Sequence, residues 1–229
     1  PVNEPWWSSD FATLKNFYKD VRQRLHTANP DAYFVFHDAF HFSGDDWNDM
    51  FDDWTNVAMD THYYQAWWGH SDLDSFKAGY DNSLGWSHTI DAEVWVGEWS
   101  LATDVCAFWL GGFNDNNTPY SFDCNWVECP YSYLPEETAT DFDRTAETLG
   151  PFGSNKLSTV SYGKCPSDSL FFSDDDVDQI AKSALDAFDR NVGAQFMWTF
   201  RNEIEDRWSY NKSFEKGWIN RNANKSFLQ

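Results

Sequence analysis

Apolar residues recur along the chain with two different rhythms. From about Asp10 to His26 they fall at Phe11, Leu14, Tyr18, Val21 and Leu25, the spacing that lays one stripe along a helix. From about Asp175 to Arg190 a second stripe runs through Val177, Ile180, Ala184, Leu185 and Phe188. Short apolar runs of strand character lie between and around them: Tyr33 to His37, Val57 to Tyr63, Glu93 to Trp99 and Ala194 to Phe200. Strands separated by helical stretches imply right-handed crossovers and a parallel sheet, either open or closed into a barrel.

The polar positions sharpen this picture. Each strand ends in side chains able to do chemistry: His37-Asp38, then His62-Tyr63-Tyr64-Gln65, then Gly97-Glu98-Trp99-Ser100, and Trp198 with Arg201 just beyond. Functional groups gathered at the carboxyl ends of successive parallel strands are what a barrel enzyme shows. Asp45, Asp46, Asp49, Asp52 and Asp53 read as the wet side of a further helix with Trp47, Met50, Phe51 and Trp54 on its apolar side. From about Gly111 to Pro166 the rhythm breaks. Asn, Pro, Ser, Thr and Gly dominate, so the stretch reads as a long loop elaboration of one domain, 1–229, and not as a domain with its own core.

Composition narrows the function classes. The 229 residues carry a formal net charge of -21, which repels nucleic acid and anionic lipid and suits a neutral substrate. No run approaches the length of a membrane-spanning helix, and the first residues lack a signal-peptide pattern, so the chain as it stands is expected to be soluble. The four cysteines, Cys106, Cys124, Cys129 and Cys165, form no C-x-x-C pair and have no His at zinc-ligand spacing, which favours disulfides over metal. Glycosylation sequons at Asn116, Asn211 and Asn224 agree with an oxidising, extracellular setting, either secreted or at a cell surface.

Among 37 acidic residues, Glu98 ends a strongly apolar strand and Glu4 stands in Asn3-Glu4-Pro5 at the start. Two carboxyl groups about 5 Å apart, one protonated and one ionised, are what retaining glycoside hydrolysis requires. Pattern alone leaves many other pairs open. Several stretches carry a resemblance in a fixed order: Asn3-Glu4-Pro5, Phe36-His37-Asp38-Ala39-Phe40, Asp60-Thr61-His62-Tyr63-Tyr64-Gln65, Val96-Gly97-Glu98-Trp99-Ser100, and Phe196-Met197-Trp198-Thr199-Phe200 with Asn202-Glu203. With these the chain resembles glycoside hydrolase family five, most closely its exo-β-1,3-glucanase subgroup.

The resemblance implies an α/β fold, a (β/α)8 TIM barrel of which strands four to eight are present. It implies Glu4 as general acid/base and Glu98 as nucleophile, with no cofactor and no metal. Asn3, His62, Tyr64 and Trp198 would bind the sugar, Trp198 as the floor of the subsite and the Tyr64 hydroxyl also orienting Glu98. For Trp67 an outer sugar clamp and barrel-to-helix packing stand level, while Trp68 beside it, His37 and Asp38 suit structural roles equally well. By the same resemblance Cys106 pairs with Cys165, which leaves Cys124 and Cys129 to pair inside the loop after strand seven.

The expected function is a retaining β-glucan hydrolase, of exo-β-1,3-glucosidase type, working through a covalent glycosyl-enzyme on a β-glucan or related oligosaccharide. Three strand-helix units of the family barrel and most of strand four have no counterpart here. The barrel would be completed by another part of the same polypeptide or by another chain. The rival expectation is a catalytically inactive glycan-binding or structural component of an extracellular assembly on the same fold.

Overall fold

A computed structural model of the chain describes residues 2–68, 70, 72–103, 172–201 and 206–219. The loop 111–166, all four cysteines, Asn116 and Asn224 lie outside the described residues. The described residues form two compact units.

The first unit comprises 2–64, 77–99 and 179–197 and holds a four-stranded sheet: β1 (Phe34–His37), β2 (Val57–Tyr63), β3 (Glu93–Trp99) and β4 (Ala194–Met197). The strands lie in the order β1-β2-β3-β4, and every neighbouring pair is parallel. Helix α1 (Phe11–Ala28) precedes β1, α2 (Leu73–Leu84) lies between β2 and β3, and α3 (Asp174–Asn191) leads into β4. Asp10 caps α1 by accepting from the Thr13 N–H at 2.7 Å, and Asp174, Asp175 and Asp176 sit in the first turn of α3, where the helix dipole favours negative charge.

The β period of two divides the sheet into two faces. On the helix side, Phe34 and Phe36 of β1, Val57 and Met59 of β2 and Val94 of β3 pack with Tyr18 of α1 and with Trp47 and Met50. The Phe36 ring centroid lies 5.3 Å from Tyr18 and 5.2 Å from Trp47, within the range of favourable aromatic pairs. The Tyr18 hydroxyl reaches past this layer and donates to the His37 carbonyl at 3.0 Å, tying α1 to the end of β1. A second aromatic knot joins Tyr80, Trp99 and Phe188, with Tyr80 and Trp99 at 5.2 Å and 4.9 Å from Phe188.

Three sequence expectations change. The aspartate-rich segment after Gly44 folds as consecutive turns and not as a helix, although its polarity is as expected: Trp47 and Met50 are buried, and Asp45, Asp46 and Asp49 are exposed. Hydrogen bonds from the Trp47 and Met50 N–H groups reach back only three residues, to Gly44 and Trp47. Helix α2 went unassigned because Gly79, Asn82 and several serines and aspartates dilute its stripe of Leu73, Phe76, Tyr80 and Leu84. It is started by Asp72, which accepts from the Ser75 N–H at 2.8 Å. Strand β4 stops at Met197 and does not reach Phe200.

The second unit shows where the chain after Met197 goes. It comprises the described parts of 65–76, 100–178 and 198–229. Here the backbone of 199–200 pairs with 208–211: the Thr199 N–H donates to the Trp208 carbonyl at 2.8 Å, and the Tyr210 and Asn211 N–H groups donate to the Thr199 and Phe200 carbonyls at 2.8 Å and 3.1 Å. Those bonds replace the ladder that a longer β4 would need. The short helix α4 (Tyr210–Glu215) follows, with Ser209 as its cap. Trp208 is wholly buried and is met by Trp67 and Trp198, with ring centroids at 5.8 Å and 5.6 Å.

Candidate active site

The sheet face opposite the aromatic layer carries charge. Strand pairing puts His37 of β1 beside Asp60 of β2, and Asp60 beside Trp95 of β3. Two residues further along β2, His62 follows on the same face. Strict alternation would send Glu98 to the other side together with Val94 and Val96. The register slips by one residue between Thr61 and His62, so that Val96 pairs with Thr61 and Glu98 with His62. Gly97 is the additional residue of this β-bulge. The slip brings Glu98 onto the face of His62 and turns Trp99 inward to the knot with Tyr80 and Phe188.

Glu4 arrives from the irregular segment ahead of α1, on a left-handed backbone with φ of 45°. Its Oε1 lies 2.7 Å from Nδ1 of His62, and the same nitrogen lies 3.4 Å from Oε2 of Glu98. One polar atom from each of Glu4, His62 and Glu98 falls within 4.8 Å of the other two. On its far side His62 places Nε2 3.5 Å from Oδ2 of Asp60. The imidazole therefore stands among three carboxylates. Tyr64, just past the end of β2, donates its hydroxyl to Oε2 of Glu98 at 2.6 Å.

Charge states follow from these contacts. Burial alone would keep His62 neutral, but the carboxylates of Asp60, Glu4 and Glu98 outweigh it and push the imidazole pKa up to about 9. The hydrogen bond from His62 holds the Glu4 carboxyl below its ordinary value against the opposing effect of burial. Desolvation, and then the hydrogen bond to Glu98, push the Tyr64 phenol far above its ordinary value, so it remains a donor at any physiological pH. Glu4, His62 and Glu98 are close enough to share a metal ion. With His62 protonated, however, its nitrogens carry protons instead of free lone pairs, and in this state the three groups share protons.

A supporting layer lies at the end of β1. Asp38 is fully buried and accepts from the Thr61 hydroxyl at 2.7 Å and the Phe40 N–H at 2.9 Å. Its pKa is raised to about 7 by desolvation, which those hydrogen bonds only partly oppose. His37 accepts from the Ala39 N–H at Nδ1, at 2.9 Å, and its ring meets that of His62 edge-on at 4.4 Å. Burial, followed by the nearby His62 charge, lowers its pKa to about 4, so it is neutral. The expected structural hydrogen bonding of His37 and Asp38 is thus visible.

The structure accordingly gathers Glu4, His62, Tyr64 and Glu98 in the first unit. His62 is buried there and engaged by carboxylates at both ring nitrogens. Asn3 lies exposed next to Glu4. Trp67 and Trp198 belong to the second unit, where both contact Trp208, and Trp67 is 49% exposed. Asn211 sits in α4 and donates its side-chain amide to Glu215 at 2.9 Å. Sequence reasoning did not assign Asp60 a role. Its signal was a lone acidic residue inside an apolar strand, where aspartate is disfavoured.

The chain is similar to several curated fungal proteins. Probable glucan 1,3-beta-glucosidase A of Emericella nidulans is 34% identical over 43% of this chain and 25% of its own length. Glucan 1,3-beta-glucosidase of Blumeria graminis is 24% identical over 95% of this chain and 46% of its own, and glucan 1,3-beta-glucosidase 2 of Wickerhamomyces anomalus is 24% identical over 92% and 45%. The chain thus spans about half, or less, of the length of these relatives. No family model matches it.

Among solved structures, the fold is similar to AoRut, with a TM-score of 0.57 at 13% identity over 94% of this chain and 45% of that one. It is also similar to rutinosidase from Aspergillus niger, with a TM-score of 0.53 at 15% identity over 92% and 43%. The likeness agrees with an α/β fold built on a parallel sheet. No helix among the described residues is long and apolar enough to cross a membrane.

Proposed function

We propose that the chain is the catalytic-carboxylate half of a retaining β-glucan hydrolase of exo-β-1,3-glucosidase type. The observation that carries this reading is the Glu4–Glu98 pair: one oxygen of each carboxylate lies within 4.8 Å of the other, Glu98 near the carboxyl end of β3 and Glu4 in the segment ahead of α1, a closeness suited to a covalent mechanism. The names of the fungal relatives supply the substrate class and the enzyme class. The four described strands would be the closing strands of a (β/α)8 barrel, with the others contributed by a further segment of the polypeptide or by another chain. The residues 1–229 would form part of one domain. An extracellular or cell-wall location fits a glucan substrate.

In the first half-reaction Glu98 attacks the anomeric carbon, and Glu4 delivers a proton to the departing glycosidic oxygen. Tyr64 holds one oxygen of Glu98 at 2.6 Å, leaving the other for attack. The hydrogen bond at 2.7 Å between His62 Nδ1 and Glu4 Oε1 supports this role, as a route by which Glu4 gains the proton it delivers. In the second half-reaction Glu4, now ionised, takes a proton from water as that water displaces Glu98 from the sugar. The low pKa of Glu4 beside His62 suits this base stage. Asn3, Trp67 and Trp198 would bind the sugar, the two tryptophans by stacking on its apolar faces.

The test is turnover of laminarin by the full-length protein. Glu98→Gln and Glu4→Gln are each expected to lower kcat by roughly a hundredfold or more, with the released glucose in the β form. Unchanged turnover in either variant would overturn the assignment and favour a non-catalytic glycan-binding role.

A further inference from the structure

We infer that Asp60 is a positioning residue for this site: its carboxylate holds the His62 ring through Nε2 in the orientation that presents a proton-bearing Nδ1 to Glu4 and Glu98. The inference rests on the carboxylate pair proposed above being the reacting groups, but the contact it describes does not.

Geometry supports it from three sides. Asp60 Oδ2 lies 3.5 Å from His62 Nε2, on the side of the ring away from Glu4. Its other oxygen, Oδ1, is buried and has no hydrogen-bond partner among the described residues, so Asp60 is not a structural staple in the way Asp38 is with Thr61 and Phe40. A half-satisfied carboxylate inside a strand is unfavourable unless a cation faces it, and His62 is that cation. Finally, Gly97 leaves room for it. A Cβ at position 97 would overlap the Asp60 carboxylate, so the residue that makes the bulge presenting Glu98 also makes the space Asp60 occupies.

The other titratable groups around His62 are Glu4 and Glu98 at Nδ1, the edge of neutral His37, the buried Asp38 and the Tyr64 phenol. Among these carboxylates, Asp60 is the one that meets Nε2. An aspartate behind a histidine fixes both its tautomer and its direction, as in other proton-handling sites.

Histidine-selective NMR titration of the full-length protein tests this, with His62→Gln identifying the resonance. Wild-type His62 is expected to titrate well above the ordinary histidine value, near 9. In Asp60→Asn the midpoint should fall by at least about one pH unit. The kcat for laminarin should fall about tenfold, with KM little changed and the alkaline limb of the kcat profile moved down in parallel. An unchanged His62 midpoint in Asp60→Asn overturns the inference. If that variant does not fold, the wild-type titration decides, and a midpoint at or below the ordinary histidine value overturns it. Should the wild type fail to turn over laminarin, the proposed function falls while the titration still reports on Asp60.

Discussion

The two faces of the four-stranded sheet are made from alternate residues of the same strands, yet they are held together by different physics. On the helix side, Phe34, Phe36, Met59 and Val94 interlock with Tyr18 and Trp47, and each contact gains from exclusion of water. On the other side, His37, Asp60, His62 and Glu98 bring charge close to a low-dielectric interior, and each group is tolerable because of its neighbour. The aromatic face should fail gradually and locally when altered. The charged face should fail as a unit, through function before stability.

Predictions that break or sharpen this contrast can be ranked by size. The largest effect is expected on the aromatic face. Phe36 is fully buried, and Phe36→Ala should destabilise the protein by about 3–5 kcal/mol in denaturant unfolding. A loss below ~1 kcal/mol would mean that the ring layer is not the core. Tyr64→Phe comes next. It removes one charge-assisted donor to Glu98, and kcat should fall by roughly ten- to a hundredfold with little change in unfolding midpoint.

Gly97→Ala follows, because the new methyl must displace the Asp60 carboxylate at a cost of about 1–3 kcal/mol. Its control is Gly85→Ala, where a Cβ meets nothing within 4 Å and stability should hold or rise by up to ~1 kcal/mol. Equal losses at both positions would remove the special status of Gly97. The smallest expected effect is a slope with pH. The folded-state pKa of His62 is raised above its unfolded value, so its contribution is fully present below about 6.5 and is lost as pH rises through about 9. Thermal unfolding of His62→Gln should lack that part of the decline.

Sequence periodicity resolved the aromatic face well and the charged face poorly, for a physical reason. Stripes such as Phe11, Leu14, Tyr18, Val21 and Leu25 record burial directly, and α1, α3, β2 and β3 appear close to where the pattern places them. Helix α2 escaped because its polar positions hold poor helix formers. The segment around Trp47 shows that segregated polarity does not itself select a helix, since tertiary burial of Trp47 and Met50 was met by turns. In the site, Glu4, Glu98, His62 and Tyr64 were singled out by resemblance to a family, but the position of His62 among three carboxylates depends on a register slip that no alternation reveals. Asp60 stayed hidden although its partner His62 lies two residues on in the same strand, because alternation shows that the two share a face and not that their side chains meet.

The slip at Gly97 makes β3 readable in two frames. Up to Val96 the even-numbered side chains face the helices, and from Glu98 onward the odd-numbered ones do. Drawing Gly97 into a regular ladder, with no bulge, would merge the frames, preserving the composition of the strand while exchanging the destinations of its last two side chains. Glu98 would enter the aromatic knot, and Trp99 would stand among the carboxylates. The capacity of this strand to carry chemistry is thus a matter of parity, set by one residue that has no side chain.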